Sequence, residues 1–398
     1  MKKMGLSSLD PAGRKVLMRV DFNVPLDKDR NITDDTRILA ALPSIKYVLE
    51  GGGSVVVMSH LGRPEGRIDP ALSLRPVADR LSELLAFPVK FATDTVGADA
   101  RAKGESLLPG ELLLLENLRF NGGETENDSG FSAALAGAGD TYVNDAFGAA
   151  HRAHASTVGV TKLFETCRAG FLMEKELIFL GSLLDGPANP FVAILGGAKV
   201  GSKVNVILSL LGKVDTLLLG GGMIFTFFKA AGLNIGSSLL DESSLAVASE
   251  IMTQAKESST QIILPEDCVV ATDFNDKAER KNCLVTDIPD DWMGLDIGLK
   301  TVARYRDYIK PSRTIFWNGP MGVFELPNFA VGTRAVGEAI AVATGDGATS
   351  IVGGGDCVAA INQMGLADQM SHISTGGGAS LELLAGMKLA GVESLSDV

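Results

Sequence analysis

Short runs of apolar residues recur along the chain at intervals of roughly 20 to 30 residues, and stretches of helical periodicity separate them. The runs are nearly continuous in Val, Leu and Ile instead of alternating with polar residues, as is typical of strands buried on both faces. The stretches between them predict helices over residues 74–86, 131–138, 203–211, 243–257 and 333–344. This order of strands and helices predicts an α/β fold in which parallel sheets carry helices on both faces.

The residues that follow the predicted strands change in character about halfway along the chain. In the first half they are charged or hydrogen-bonding: Asp21-Phe22-Asn23, residues 59–63, Arg119, and Asn144-Asp145 with Arg152 just beyond. In the second half they are rich in glycine, at positions 196–197, 220–222, 319, 353–355 and 376–378. Because ligands of open parallel sheets bind outside the carboxyl ends of the strands, the change predicts two sites for unlike anions.

Four arginines of the first half lie on separate segments, each at or just beyond a predicted strand end: Arg37, Arg63, Arg119 and Arg152. The planar guanidinium group binds carboxylate and phosphate oxygens through paired hydrogen bonds, so a convergent set predicts a site for a small, multiply charged anion. Asp21, Asn23 and His60 add groups that can bond to hydroxyls. The combination favours a phosphorylated hydroxy acid as the ligand.

Glycine lets backbone N–H groups approach a phosphate closely, and several such groups at the start of a helix form an anion site. Lys199 and Lys203 are predicted to open a helix after Gly196-Gly197 and to point to one side of it. Two cations near the positive end of a helix dipole are unfavourable unless a polyphosphate is bound there. Asp356, directly after a glycine triplet, is a candidate for the Mg²⁺ side of a bound nucleotide or, alternatively, for a helix N-cap.

The length of 398 residues favours two domains over one. The best candidate for their connection is the stretch 171–184, whose apolar residues nearly encircle a helix and are therefore expected to be buried. The formal charge of -12 argues against a nucleic-acid ligand. No apolar run approaches the roughly 20 residues of a membrane helix, and no signal peptide is recognisable, so the expected location is cytoplasmic.

Three other functions share parts of this pattern. Asp21 and Asp145 could form the carboxylate pair of a glycosidase, although the arginines favour an anionic ligand over a neutral sugar. A nicotinamide-dependent dehydrogenase would need G-x-G-x-x-G after an early strand, and that fingerprint is missing. A two-domain solute-binding protein would explain the arginines but not the glycine triplets with Lys199 and Lys203, and it would normally require an export signal.

The segments that carry these features resemble the phosphoglycerate kinase family across nearly the whole chain. The matching motifs are RVDFNVP (19–25), SHLGRP (59–64), LLENLRF (114–120), NDAFGAAHRAHAS (144–156), GGAKV (196–200), GGGM (220–223), WNGPMGVFE (317–325), GGGD (353–356) and STGGGASLELL (374–384). The resemblance implies two doubly wound, Rossmann-like domains joined by a helix and hinge. They would be a phosphoglycerate-binding domain at 1–170, a connecting helix at 171–186, a nucleotide-binding domain at 187–385, and a segment at 386–398 that returns to the first domain.

The resemblance also implies the residues of the site. Those expected to hold 3-phosphoglycerate or 1,3-bisphosphoglycerate are Asp21, Phe22, Asn23, Arg37, His60, Leu61, Gly62, Arg63, Arg119 and Arg152. Those expected to hold ADP or ATP are Lys203, Gly294, Asn318, Glu325, Gly354, Gly355, Asp356 and Cys357, with Glu325 at the ribose and Asp356 on the Mg²⁺ side. The sequence departs from the usual family pattern at Cys357, where serine or threonine is common, and at Ser202, where an acidic residue is frequent.

The family's reaction passes the acyl phosphate of 1,3-bisphosphoglycerate to ADP, reversibly, and gives 3-phosphoglycerate and ATP. Direct phosphoryl transfer needs cations and N–H groups around the equatorial oxygens more than it needs a nucleophile. The expected catalytic residues are Arg37, Lys199, Gly376 and Gly377. Since the two ligands are expected on different domains, the resemblance implies that the domains close and expel water during transfer, in a protein that is usually a monomer.

Overall fold

The computed structural model describes residues 2–398, and the chain divides into two compact units. The first unit contains the chain up to Ile178 together with Lys388–Val398, and the second unit is Phe179–Met387. Each unit is built around a six-stranded parallel sheet with helices packed against it, which confirms the predicted α/β class.

The sheet of the first unit has the strand order β3-β4-β2-β1-β5-β6. The strands are β1 (Lys15–Val20), β2 (Ser54–Met58), β3 (Lys90–Phe91), β4 (Leu112–Leu114), β5 (Thr141–Asp145) and β6 (Cys167–Ala169). β1 lies at the centre and pairs in parallel with β2 and with β5, in a register that sets Arg19 opposite Met58 and Asn144. The carboxyl ends of these central strands therefore lie at one edge of the sheet.

The helices of the first unit follow the strands in the expected alternation. They are α1 (Thr36–Glu50), α2 (Arg75–Leu85), α3 (Ala98–Glu105), α4 (Gly122–Thr125), α5 (Ser129–Ala136) and α6 (Phe171–Leu184). The positions of α2 and α5 agree with prediction to within two residues at each end. Helix α1 was not among the predicted helices, and its interior contains Pro43, a residue that normally breaks a helix.

Helix α6 contains the boundary between the two units, since the first ends at Ile178 and the second begins at Phe179. Its side chains Met173, Leu177, Leu180 and Leu183 are buried. The expectation that its apolar residues are buried all round is wrong at Ile178, which is 69% exposed. An isoleucine at that exposure contributes little to either core. No helix in residues 2–398 is long and apolar enough to cross a membrane.

The parallel sheet of the second unit has the order β15-β14-β13-β7-β8-β9. Its strands are β7 (Phe191–Leu195), β8 (Thr216–Leu219), β9 (Gln261–Ile263), β13 (Thr314–Asn318), β14 (Thr349–Gly353) and β15 (His372–Ile373). The helices are α7 (Val204–Leu210), α8 (Ile224–Ala230), α9 (Leu245–Glu257), α10 (Leu299–Ile309), α11 (Val331–Gly345), α12 (Gly355–Gln363) and α13 (Gly378–Leu384). β7 and β13 are adjacent, so the glycines after each strand face one another.

The second unit also contains a three-stranded antiparallel sheet that the strand-helix rhythm did not predict. Its order is β11-β10-β12, with β10 (Asp267–Ala271), β11 (Arg280–Leu284) and β12 (Met293–Ile297). β11 is mostly exposed and polar, so it has no continuous apolar run to reveal it in the sequence. β12 brings Gly294 and Asp296 to the cavity of the second unit described below.

The segment Lys388–Val398 belongs to the first unit and contains the short helix α14 (Ala390–Glu393). Gly391 N donates a 2.7 Å hydrogen bond to Ala150 O, and Met4 N donates a 2.8 Å bond to Ser396 O. An ion pair of 2.8 Å joins Lys3 to Asp397. These bonds attach both ends of the chain to the same unit.

Candidate active site

Asp21, immediately after β1, lies between two basic side chains of the first unit. Arg37, in the first turn of α1, donates a short hydrogen bond to Asp21 Oδ2. His60, two residues beyond β2, has its Nδ1 atom 3.8 Å from Asp21 Oδ1. Because β1 and β2 are parallel neighbours, their ends bring Asp21 and His60 together, as the sequence predicted.

The charges of this cluster determine its protonation. Burial alone would raise the pKa of Asp21, but the charges of Arg37 and Arg19 and a hydrogen bond from Asn23 N act against burial, and the pKa is lowered to about 2. Burial holds the pKa of His60 well below its usual range. The charge of Asp21 opposes this shift, whereas the positive charges of Arg19, Arg119 and Arg152 add to it. At neutral pH, Asp21 is therefore ionised and His60 is neutral.

The loop after β2 is fixed by side chains from two other strand ends. Asn23 Oδ1 accepts a 2.9 Å hydrogen bond from Gly62 N, and Arg119 donates a 2.6 Å bond to Gly62 O. Asn117 accepts from Leu61 N at 3.1 Å and donates to Leu61 O at 2.7 Å. Phe22 and Leu61 are buried and support this loop through packing, and Phe22 N donates a 2.8 Å bond to Ser59 Oγ.

A cavity of about 550 Å³ lies beside this loop and is lined by Arg63, Arg119, Arg152 and His154. Burial, with the charges of Arg152 and Arg19, lowers the pKa of Arg119 to about 10, so its guanidinium is still charged at neutral pH. Its Nε atom is buried and has no acceptor in residues 2–398. A buried charged donor without an acceptor, on a residue that lines a cavity together with two further arginines, indicates an anion site.

A buried polar network, which was not predicted from the sequence, lies behind this site. Arg19, inside β1, is fully buried and contacts both His60 and Ser156. Ser156 in turn bonds to both carboxylate oxygens of the fully buried Glu124, at 2.6 and 3.0 Å. A lone arginine within an otherwise apolar strand was the signal in the sequence, because charged residues are almost never fully buried unless paired.

Asp145 does not behave as the acid/base partner of Asp21 that a glycosidase would need. Its carboxylate is fully buried and accepts a 3.1 Å hydrogen bond from Met173 N in the first turn of α6. A side chain on Gly170 would collide with it, since the nearest carboxylate atoms lie 2.3 Å from the position of an added Cβ. Asp145 therefore fixes the start of α6.

In the second unit the glycine-rich strand ends surround a cavity of about 400 Å³. One part of its wall is glycine backbone at Gly197, Gly221, Gly222 and Gly294, and Glu325 and Asp356 are the acidic residues at its exposed edge. The rest is apolar, with Phe225, Leu239, Phe274, Met293, Leu295 and Val323 among its lining residues. An apolar cavity with a few polar groups at one side is the usual form of a small-molecule site.

Gly221 shows why this wall must be glycine. Its φ is 67°, and an added Cβ would lie 2.4 Å from Gly197 N. The backbones after β7 and β8 approach each other so closely that no side chain fits between them. This close approach is what the glycine clusters in the sequence indicate.

Lys203 and Asn318 form the polar centre of the second unit's strand ends. Lys203 is buried and donates a short hydrogen bond to Asn318 Oδ1 at the end of β13. Burial lowers the pKa of Lys203 to about 8, which the nearby Cys357 and Asp356 partly oppose. Asn318 Nδ2 is buried and has no acceptor within the described chain. Burial also raises the pKa of the Cys357 thiol to about 12, so this thiol is neutral at physiological pH.

The prediction that Lys199 and Lys203 share one helical face is wrong. α7 begins at Val204, and residues 201–203 form a turn in which Lys203 N donates a 2.8 Å bond to Val200 O. Lys199 is exposed, whereas Lys203 is buried. The turn separates the two side chains that a continuous helix would have aligned.

Two further predicted groups lie at the starts of α12 and α13. Asp356 is exposed in the first turn of α12, whose N-cap is Gly354, so the alternative of Asp356 as the N-cap is wrong. Gly377 is the N-cap of α13 with a φ of 52°. Gly376 N already donates a 3.2 Å bond to Ser374 Oγ.

Asp296 is a residue of this cavity that the sequence analysis did not identify. It is buried, and it accepts hydrogen bonds of 2.7 Å from Gly332 N and 2.8 Å from Ile297 N. Burial raises its pKa to about 7 in spite of these bonds. It holds the start of α11 against β12, behind the segment that carries Glu325.

The sequence profile of the family described as "Phosphoglycerate kinase" matches residues 6–387. Curated proteins named phosphoglycerate kinase from Chlorobium chlorochromatii and Synechococcus elongatus are 53% and 54% identical to this chain, and each comparison covers 100% of both sequences. The solved structure of phosphoglycerate kinase from Coxiella burnetii has a TM-score of 0.88 at 40% identity, with 98% of both chains covered. That from Pyrococcus horikoshii has a TM-score of 0.87 at 34% identity, with the same coverage. The chain therefore belongs to the phosphoglycerate kinase family, whose reaction is the reversible transfer of the acyl phosphate of 1,3-bisphosphoglycerate to ADP.

Proposed function

We propose that the first unit binds the phosphoglycerate and the second unit binds the nucleotide of this glycolytic reaction. The observation that carries this division is that each unit places a buried side-chain donor of a predicted site residue without an acceptor in residues 2–398, Arg119 Nε in the first and Asn318 Nδ2 in the second. Leaving such a donor unsatisfied costs about 1 to 3 kcal/mol, and an anionic ligand removes that cost. Both donors lie where the family's two ligands are expected.

On the phosphoglycerate side, we assign the phosphate group to Arg63, Arg119 and Arg152, which line one cavity. Asp21 is ionised and can accept a hydrogen bond from the ligand's hydroxyl, and Asn23 and His60 are placed beside it by the loop after β2. Arg37 neutralises Asp21 and has donors left for a carboxylate or acyl phosphate, because a guanidinium offers five N–H groups.

On the nucleotide side, we assign the base to the apolar part of the cavity and the ribose hydroxyls to Glu325. Lys203, Asn318, and the backbone around Gly354 and Gly355 at the start of α12 would hold the phosphates. Gly294 contributes backbone alone, since an added Cβ would lie 2.0 Å from the ring of Phe225.

The residues of the second unit fit a nucleotide that carries Mg²⁺. Magnesium usually takes one or two carboxylates and completes its shell with water and phosphate oxygens. Asp356 provides an exposed carboxylate on the wall of the nucleotide cavity and so matches that requirement. When bound, the ion would neutralise charge on the phosphate oxygens.

For the transfer step, we assign charge neutralisation to Arg37 and Lys199 and hydrogen bonding to the backbone at Gly376 and Gly377. Lys199 is exposed, which leaves its ammonium group available for the transferred phosphoryl group. Gly377 N is the better donor of the two glycines, because Gly376 N already bonds to Ser374. Since the ligands bind different units, in-line transfer requires the units to close and exclude water.

We further infer that the enzyme acts as a cytoplasmic monomer, as its family resemblance suggests. Size-exclusion chromatography with light scattering checks the monomer: a mass of one chain at micromolar concentration supports it, and a dimer contradicts it. Fractionation of cells that produce the protein checks the location.

A coupled assay of ATP and 3-phosphoglycerate consumption with Mg²⁺ tests the roles assigned to Arg37 and Lys199 in the transfer step. We expect Arg37→Ala and Lys199→Ala to lower kcat far more than they weaken nucleotide binding. Arg101→Ala and Lys213→Ala, which remove exposed cations elsewhere in each unit, are the matched controls and should keep the wild-type rate. Unchanged rates for Arg37→Ala and Lys199→Ala would remove their assigned roles.

Small-angle scattering tests the closure step. It should show compaction only with both ligands present, and equal compaction with either ligand alone contradicts closure.

A further inference from the structure

The imidazole of His60 lies against a buried arginine that the proposed function does not use. Arg19 Nη2 is 3.1 Å from His60 Nδ1, whereas the nearest oxygen of Asp21 is 3.8 Å from the same nitrogen. Only the first distance is that of a hydrogen bond. The oxygens of Asp21 also accept from Arg37 and from Asn23 N, so they have other donors.

Arg19 cannot turn away from His60, because the rest of its guanidinium is occupied. Its Nε donates a 2.8 Å bond to Ser156 Oγ, and its Nη1 contacts Val20 O. Ser156 is itself fixed by the fully buried carboxylate of Glu124, which accepts from its hydroxyl and its backbone N–H. The Glu124 carboxylate also offsets the positive charge of Arg19 within the buried interior.

A guanidinium group has only donors, so the atom that faces Arg19 Nη2 must be an acceptor. A neutral imidazole has one acceptor nitrogen and one donor nitrogen, and the acceptor here is Nδ1. The proton of the ring must then reside on Nε2. Protonation of both nitrogens would direct an N–H group at the Arg19 donor, which agrees with the low pKa of His60.

We propose that Arg19 is a positioning residue that holds His60 in the neutral Nε2–H tautomer, so that His60 acts only as a hydrogen-bond donor to an oxygen of the anionic ligand. The role of His60 as a ligand contact rests on the proposed function. The tautomer rests on the contact with Arg19 alone. The two can therefore fail separately.

The tautomer is measured directly by ¹⁵N NMR of the protein with labelled histidine. The chain has four histidines, and the signal that disappears in His60→Gln identifies residue 60. We expect an acceptor-type Nδ1 and a protonated Nε2, unchanged between pH 6 and 8. A protonated Nδ1, or a ring that titrates in this range, would overturn the proposal.

Arg19→Met removes the donor and leaves Asp21 as the nearest polar group to Nδ1. We expect the proton of His60 to move to Nδ1, where it can bond to Asp21, and the KM for 3-phosphoglycerate to rise about tenfold or more. The KM for ATP should stay within about twofold of wild type, as the nucleotide site lies in the other unit. Arg19→Lys keeps a donor and should restore the Nε2–H tautomer, and it serves as the test if Arg19→Met does not fold.

Tyr142→Phe is the matched structural control. Tyr142 is fully buried and donates a 2.8 Å bond to the backbone oxygen of Ser156, but it does not contact His60 in the described hydrogen bonds. The Tyr142→Phe substitution should lower the melting temperature without changing the tautomer of His60 or the KM for 3-phosphoglycerate. If Arg19→Met keeps both the wild-type tautomer and the KM, the positioning role is wrong. If the tautomer changes but His60→Gln leaves the KM unaltered, the role of His60 in the proposed function fails instead.

Discussion

Lys203 donates a hydrogen bond to Asn318 Oδ1, and this bond orients the amide of Asn318 so that its Nδ2 atom is buried without an acceptor in residues 2–398. The lysine therefore fixes which half of the amide is offered to a ligand. An NH2 group at the end of a central strand, beside a glycine-rich turn, is suited to a phosphate oxygen.

Asn318→Ala should raise the KM for ATP about tenfold, because it removes a donor to a charged ligand. Asn318→Asp should weaken nucleotide binding further, since a carboxylate repels the phosphates. Isothermal titration with ATP measures both effects, and the KM for 3-phosphoglycerate should not change. Asn362→Ala, at an exposed asparagine of the same unit, is the control. Equal ATP affinity in Asn318→Ala and wild type would contradict the contact.

Nucleotide affinity should decrease as the pH rises through about 8. Burial lowers the pKa of Lys203 to about 8, so the unliganded protein loses this positive charge above that pH. A bound polyphosphate favours the charged form, and binding near pH 8 to 9 should therefore take up a proton. Titration calorimetry in buffers of different ionisation enthalpy measures this uptake. Lys203→Met should abolish it, and proton uptake that persists in that variant would assign it to another group.

Asp21 should stabilise the fold at neutral pH and lose that effect in acid. Its pKa is lowered from 3.8 to about 2 in the folded protein, so its contribution is present above pH 3.8 and is lost as the pH falls through 2. This pKa shift corresponds to about 2 kcal/mol in the free energy of unfolding at neutral pH. Urea denaturation followed by circular dichroism should show Asp21→Asn less stable than wild type at pH 7 and nearly equal at pH 2. Asp29→Asn, at an exposed carboxylate, is the comparison variant.

Gly354→Ala should damage nucleotide binding beyond the effect of backbone strain. Gly354 has a φ of 90°, and an added Cβ would lie 2.9 Å from Asn318 Nδ2. Gly347→Ala isolates the strain, since Gly347 has a φ of 97° and no atom within 4 Å of an added Cβ. Both variants should lose about 1 to 3 kcal/mol of stability. Only Gly354→Ala should raise the KM for ATP, and a similar rise in Gly347→Ala would attribute the effect to general destabilisation.

The parallel sheets could be predicted from the sequence because their strands are continuous apolar runs, and the candidate site residues were proposed because each run ends in distinctive residues. Asp21 and His60 come together simply because β1 and β2 are neighbours. α1 and β11 could not be predicted in this way. The first contains a proline, and the second is exposed and polar, so each depends on packing against the rest of its unit.

Side-chain partners were harder to predict than strand ends. Lys199 is exposed and Lys203 is buried because the chain forms a turn before α7. The four-residue spacing of the two lysines does not reveal that turn. The contacts of Arg19 join residues as far apart as 137 positions, which local periodicity cannot report. The sequence therefore placed the candidate site at the ends of the strands but did not reveal the network that supports them.

The attachment of Lys388–Val398 to the first unit has a consequence for biosynthesis. Asn144 donates a 3.3 Å bond to Gly391 O, and Ser394 donates a 3.1 Å bond to Thr157 O, so this segment buttresses the stretch that carries Arg152. A ribosome makes most of the first unit early but supplies this segment only after the whole second unit has been translated. The nascent first unit therefore remains without part of its surface, and the stretch that carries Arg152 gains these contacts only after the second unit has been synthesised.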